Sequence, residues 1–432
     1  MKYRFPVAFI KVERIRNNIS FFDNFGKLRV SSRFFYPDIV SLSVLAIFIG
    51  AAVKGGLSDE YETIFYTGWI SFFREISGFI GVAGLIVFAA HWRGDHIIEK
   101  PSISSPFFWL LIFKLMLLIR FIFDGSIAIK YGASLIGSII IWIVISSRSH
   151  MRNWDEFYVS IIKGIIYFSF LMVTINCYLY FYAWESTSWK GRFVGIFHHP
   201  NFLGVNIAIL FAIFLMFSVS INIKKLESIK VLLVFIGVIA AFFLVVVSGS
   251  RTGMLGVLVA LFTYSIVKKL LSIRAVLFIF FGILCLYLIS QIYIKYLFNI
   301  FPGLERILSN QNTRGEVWSI MIDDFLSNPL LGAGKSAGAT AGSYLRATAI
   351  GGVFMGFALL LTVFHLSRRS IKIFSSVAPA WVIPISVVVI CAVTEGVLVD
   401  SLSFGSVIFS FMAVLLSLNK IKIRRPFYVD SL

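Results

Sequence analysis

Three arginines stand out because each lies in a polar stretch that interrupts an otherwise apolar chain: Arg192 in GRFVGIFHHPNFLG, Arg251 in SGSRTGML and Arg314 in TRGEVWSIMIDDFLSNPLLGAG. A guanidinium offers a planar fork of donors and stays charged at any relevant pH, so it suits phosphate oxygens. Converging on one site, the three would hold a diphosphate. The competing reading is that each snorkels separately to a membrane–water interface. The first stretch also carries His199, Pro200 and Asn201. These can form one wall of an anion site at a helix start, where free N–H groups and a partial positive charge add to Arg192. Alternatively, Pro200 and Asn201 simply begin a helix and His199 hydrogen-bonds the backbone exposed there.

The elements that must position these residues are membrane spans. The chain has 432 residues, 59% of them hydrophobic, 46 of them Phe and only 14% charged. About a quarter charged is usual for soluble domains. An all-α polytopic membrane protein is expected, with about 20 apolar residues per span. The first six runs are Tyr36–Val53, Ser77–Trp92, Pro106–Phe123, Gly132–Ser147, Phe157–Tyr182 and Phe202–Val219. The next six are Val231–Val247, Gly253–Leu271, Ala275–Tyr293, Arg346–Leu366, Ser376–Cys391 and Phe404–Leu418, and the second run can begin earlier, near Thr63. The net charge of +18 does not indicate a nucleic-acid partner, because most Lys and Arg collect in alternate loops and at the termini. The positive-inside rule then places both termini in the cytoplasm.

The organisation expected is a basic arm (1–35), nine spans with short loops (36–293), a large outer loop (294–345), three more spans (346–419) and a cytoplasmic tail (420–432). The arm lacks a signal-peptide pattern and suits anionic headgroups. A loop as long as 294–345 is more often functional than not. It carries its own helix from about Arg314 to Leu326, with Thr313 and Glu316 at capping-box spacing and a stop at Asn328-Pro329. In SGSRTGML, Gly249 and Gly253 permit a tight reversal with Arg251 at its apex. Cys177, Cys285 and Cys391 read as packing residues, and no metal-ligand spacing is present. Adjacent Arg74 and Glu75 form an interfacial ion pair or line an acceptor groove. Lys114, Arg120 and Lys163 can snorkel, while Arg120 also lies where it can reach glycan or phosphate.

The three motifs, in this order and separated by spans, resemble the O-antigen ligase and polymerase superfamily of bacterial envelope glycan enzymes. That family has a GR..G....PN loop, an SR(T/S) turn and a periplasmic loop with R...W followed by NP..G.G. The resemblance is close over about residues 190–360. It implies a metal-independent, cofactor-free glycosyltransferase in the cytoplasmic (inner) membrane, with its active site facing the periplasm. The donor would be a glycan on undecaprenyl diphosphate, and no nucleotide sugar would be needed. Arg192, Arg251 and Arg314 fall on the family's essential arginines, thought to hold the diphosphate. A separate chain-length regulator is an expected partner.

One departure matters. Ligases of the family commonly carry a histidine just before the span after the large loop, as general base on the acceptor hydroxyl. Here the stretch is ATAGSYLRATAIGG, with no histidine between His199 and His365. This favours a polymerase joining lipid-linked repeat units over a ligase moving finished glycan to lipid A-core. A twelve-span transporter or flippase is a third reading, disfavoured by the lack of an internal repeat. Candidate bases are His199 first, then Glu305, Glu316, Asp323 and Asp324. Against these stand a capping role for Glu316, solvation of Asp323 and Asp324, and an ion pair of Glu305 with Arg306. Asn201, Trp318, Arg120 and Glu395 complete the expected substrate contacts, together with Glu305, Glu316 and Asp324. Glu395 and Asp400, in CAVTEGVLVDSLS, would balance the arginines' charge or orient a sugar hydroxyl.

Overall fold

The computed structural model describes residues 37–54, 68–92, 98–123, 125–151, 153–189, 191–197, 199–220, 228–268, 315–334, 341–374, 381–400 and 403–418. The basic arm, the ninth apolar run Ala275–Tyr293, Glu305, Arg314 and the tail lie outside the described residues.

Within the described residues the chain is mostly helical, with 12 helices. In chain order they begin with α1 (Ile39–Lys54), α2 (Trp69–Ala89), α3 (Pro106–Arg120), α4 (Gly125–Ser149) and α5 (Trp154–Tyr182). A two-stranded hairpin, β1 (Ser188–Trp189) and β2 (Arg192–Phe193), precedes α6 (Pro200–Ser220), α7 (Ser228–Ser248) and α8 (Arg251–Val267). Then come α9 (Gly315–Ser327), α10 (Ser343–Phe374), α11 (Val382–Thr394) and α12 (Phe404–Ser417). The helix expected inside the large loop is α9. Apart from the ninth, every apolar run expected from the sequence overlaps a described helix, and α2 starts at Trp69, between its two expected beginnings.

Uninterrupted aliphatic and aromatic stretches make these helices, and hydroxyl caps fix several of their starts. Ser105 accepts from Phe108 N with Pro106 in the first turn, Ser250 accepts from Gly253 N, and Ser403 accepts from Ser406 N. Among the described residues, five helices are long and apolar enough to cross a membrane, judged by length and composition. Large apolar side chains such as Phe79, Phe235, Phe354 and Phe364 are exposed on outer faces.

From Leu203 to Phe217 α6 is apolar except for Asn206, and every residue of that stretch is buried, as expected for a central helix. It is surrounded by α7, α8 and α11. A second centre forms where Phe48 of α1 meets Phe404 and Phe411 of α12, with ring centroids 5.6 and 5.3 Å away. Lys114 of α3 is buried and ties three helices together. Its Nζ donates to Ser134 Oγ (2.9 Å), Ser138 Oγ (2.7 Å) and Ser410 Oγ (3.0 Å), so each ammonium proton meets a hydroxyl.

Candidate active site

The site is built on the first turns of α6 and α8. Before α6 the chain makes a tight hairpin at Gly191 (φ 72), pairing Trp189 with Arg192. Thr187 O then accepts from Val194 N (2.8 Å) and Gly195 N (3.2 Å), which closes the loop on itself. Asn176, buried in α5, accepts from Ile196 N at 3.1 Å, and Arg74 donates to Ile196 O at 3.1 Å. The loop is thus anchored by polar groups reaching out of two helices. Arg74, expected beside Glu75 or in an acceptor groove, holds this loop backbone.

Arg192 is buried. Its Nε donates to Ser248 O at the end of α7 (2.9 Å), and its Nη2 donates to Asn201 Oδ1 (2.9 Å). Asn201 N donates to His199 Nδ1 at 3.1 Å. In the neutral imidazole this bond makes Nδ1 the acceptor and leaves the proton on Nε2. His199 therefore presents a donor, with its ring 5.4 Å from that of Trp189.

The reversal between α7 and α8 is made by Gly249 (φ 60). Gly253, expected to share in that turn, is instead helical, and its missing side chain serves a different purpose. A Cβ there would lie 2.7 Å from the carbonyl carbon and oxygen of Gly204. No Cβ fits on Gly204 either, because Ser250 occupies its place. The two glycines let α6 and α8 touch backbone to backbone, which sets their N-termini side by side. Arg251, the first residue of α8, is exposed at this junction.

The neighbouring Thr252 reaches the end of α11. Its Oγ1 lies 2.8 Å from Thr394 Oγ1 and 3.4 Å from Glu395 Oε1. Glu395 is buried, with 6% of its surface exposed. Its backbone carbonyl accepts from Ser343 Oγ at 2.7 Å, and the same hydroxyl accepts from Leu398 N. The start of α10 is thereby fastened to the turn after α11. Asp400 is also buried and accepts from Arg346 Nη1 at 2.7 Å. Burial pushes the Asp400 carboxyl above its usual range, and the guanidinium pulls it back. The two carboxylates expected as a pair thus have separate neighbours: Asp400 balances Arg346, whereas Glu395 stands at the first turn of α8.

From the large loop, α9 packs Met321 onto Ala341 and Ala349. Trp318, one turn earlier, has its Nε1 buried with no partner among the described residues. It faces Gly342, which lies against Val393 O, two residues from Glu395. Asp324 Oδ2 is likewise buried without a partner among the described residues, while Glu316 and Asp323 are exposed.

The segment NPLLGAG after α9 fills a break in α10. Gly351 and Gly352 leave helical geometry, Gly352 with φ 69. Pro329 O accepts from Val353 N (2.8 Å) and Ala333 N donates to Ala349 O (2.7 Å), so backbone groups orphaned by the break are satisfied by the loop. Arg120 seals the joint from α3, donating to Ile350 O (3.2 Å) and Gly332 O (2.7 Å). Its guanidinium is therefore occupied in holding loop to helix.

Of the residues expected from the sequence, Arg192, His199 and Asn201 form one hydrogen-bonded cluster, joined to Arg251 and Glu395 through the α6–α8 contact. Arg120 lies at the α10 break, and Trp318 at the start of α10. Asn176, Thr252, Ser343 and the role of Arg346 as the partner of Asp400 escaped the sequence reading. A lone asparagine within an apolar run was the one available signal for Asn176. Serines and threonines near span ends are too common to stand out.

Residues 236–347 match the family model described as O-antigen ligase. The match covers most of α7, all of α8 and α9 and the first turn of α10, and it supports the O-antigen polymerase and ligase superfamily. Members of that family are glycosyltransferase-like enzymes, so a ligase- or polymerase-type function in general is supported. With the apolar helices, the match points to a multi-pass membrane protein. Comparison with curated proteins gives no match.

Proposed function

We propose that this chain is an O-antigen (lipid-linked oligosaccharide) polymerase of the inner membrane, with twelve spans, cytoplasmic termini and a site facing the periplasm. The observation that carries the reading is the paired N-termini of α6 and α8, brought together at Gly204 and Gly253 with Arg251 exposed between them. Two helix N-termini offer two sets of free N–H groups and two partial positive charges, a match for the two phosphates of a polyprenyl diphosphate. Arg251 and Arg314 would grip the diphosphate oxygens in bidentate fashion. Arg192 orients Asn201, and His199 Nε2–H adds a donor.

In the transfer, a hydroxyl of the acceptor repeat unit attacks the anomeric carbon of the donor glycan. The bond from that carbon to the phosphate oxygen breaks, and undecaprenyl diphosphate leaves with the electron pair. Donors and charges preorganised around the developing anion lower the barrier without metal chemistry.

A ligase is the second reading, favoured by the description of the matching family. Deleting the gene and resolving the lipopolysaccharide on a gel separates the two. Core carrying one repeat unit and no ladder marks a polymerase. Bare core, with long glycan stranded on the carrier lipid, marks a ligase and refutes the polymerase reading.

A further inference from the structure

We propose that Glu395 is the general base that takes the proton from the acceptor hydroxyl, an inference that rests on the glycosyl-transfer reading above. The base must stand about one sugar ring from the leaving diphosphate, on the side the acceptor approaches. Glu395 stands beside the first turn of α8: its Oε1 is 3.4 Å from the hydroxyl of Thr252, the residue that follows Arg251. It is held there by the backbone, since Ser343 Oγ donates to its carbonyl and Leu398 N donates back to Ser343.

The other candidates fit less well. His199 spends Nδ1 accepting from Asn201 N, which leaves Nε2 protonated and unable to take a second proton without breaking that arrangement. Glu316 and Asp323 are exposed on the outer face of α9. Asp400 is engaged with Arg346 at 2.7 Å. Asp324 lies two turns along α9 from Trp318, toward the break in α10.

A second observation points to a ligand at the same place. Trp318 Nε1 is a buried donor with no partner among the described residues, aimed at Gly342 where that residue meets Val393 O. A ring hydroxyl of the acceptor would satisfy it, while the attacking hydroxyl meets Glu395. In the step proposed, the hydroxyl oxygen forms its bond to the anomeric carbon as its proton passes to a Glu395 carboxylate oxygen. The carbon–oxygen bond to the diphosphate breaks in the same displacement, and the proton later passes to water.

The test uses the full chain purified into lipid nanodiscs, with a synthetic undecaprenyl-diphosphate-linked repeat unit as substrate. Glu395→Gln keeps an acceptor oxygen for Thr252 and removes the charge and the basicity. The expected result is a fall in kcat on the order of 10²–10⁴-fold, loss of the acid limb of the kcat/KM profile, and undecaprenyl diphosphate binding within twofold of wild type. Wild-type kcat with an unchanged acid limb in Glu395→Gln would overturn the assignment and leave Glu395 a structural role. Should the Gln variant fail to fold, Glu395→Asp decides. A kcat loss above tenfold with KM held supports the base, and an unchanged kcat refutes it. Wild-type protein that does not elongate the substrate would instead sink the polymerase reading itself.

Discussion

Replacing Gly253 by alanine tests whether the backbone contact between α6 and α8 sets the site. The added Cβ would sit 2.7 Å from the carbonyl atoms of Gly204 and 2.9 Å from its Cα. Carbon pairs settle near 3.5 Å or beyond, so α8 must retreat by about 0.8 Å. Backbone cannot swing away as a flexible side chain can. Overpacking costs about 1–3 kcal/mol, and the better helix propensity of alanine returns about 1 kcal/mol, leaving a net loss of about 0–2 kcal/mol. Activity should suffer more than stability, since Arg251 moves with α8 while Arg192 and Asn201 stay with α6. A misplacement near 1 Å can cost on the order of 10²-fold, so a 10- to 100-fold fall in chain elongation is expected. The assay pairs the glycan ladder with a thermal melt of purified protein. Gly132→Ala is the control, because its Cβ would meet nothing nearer than Leu118 at 3.7 Å. A Gly253→Ala protein with a full ladder and an unshifted melt would refute the reasoning.

Other perturbations probe separate parts of the structure. Arg346→Ala strands a buried Asp400 carboxylate and should destabilise the protein by about 3–5 kcal/mol, whereas Arg346→Met combined with Asp400→Leu should recover most of that in the same melt. Arg120→Ala leaves the Ile350 and Gly332 carbonyls without their donor. It should cost about 1–3 kcal/mol and speed proteolytic cleavage near residues 328–334. Arg251→Lys keeps the charge but loses the fork, so elongation should drop at least tenfold, read as shorter ladders at equal protein level. Excess chelator should leave elongation in nanodiscs unchanged; loss of activity restored by added divalent metal would contradict the metal-independent step.

The parts of the fold legible in the sequence follow directly from one physical demand. A helix of the length and apolarity of Pro200–Ser220 has no other stable home than an apolar environment, whereas the caps Ser105, Ser250 and Ser403 were not read from the sequence. The loop helix was legible through its period and its Asn-Pro stop. Contacts between elements far apart in sequence were not. Gly253 read as a turn residue because a glycine beside an arginine between two apolar runs signals reversal, and only the approach of Gly204 reveals its packing role. Arg120 read as a glycan contact because nothing local shows that α10 breaks at Gly351–Gly352 and needs a donor there. Glu395 and Asp400, five residues apart, looked like a pair, yet the turn between them sends one to Arg346 and the other to Thr252.

The measurement closest to the central claim is elongation by the purified chain in nanodiscs, given only an undecaprenyl-diphosphate-linked repeat unit, with wild type and Arg251→Ala compared. The account predicts polymer and released undecaprenyl diphosphate from wild type, no nucleotide sugar required, and neither product from folded Arg251→Ala. Elongation by Arg251→Ala at the wild-type rate would contradict it.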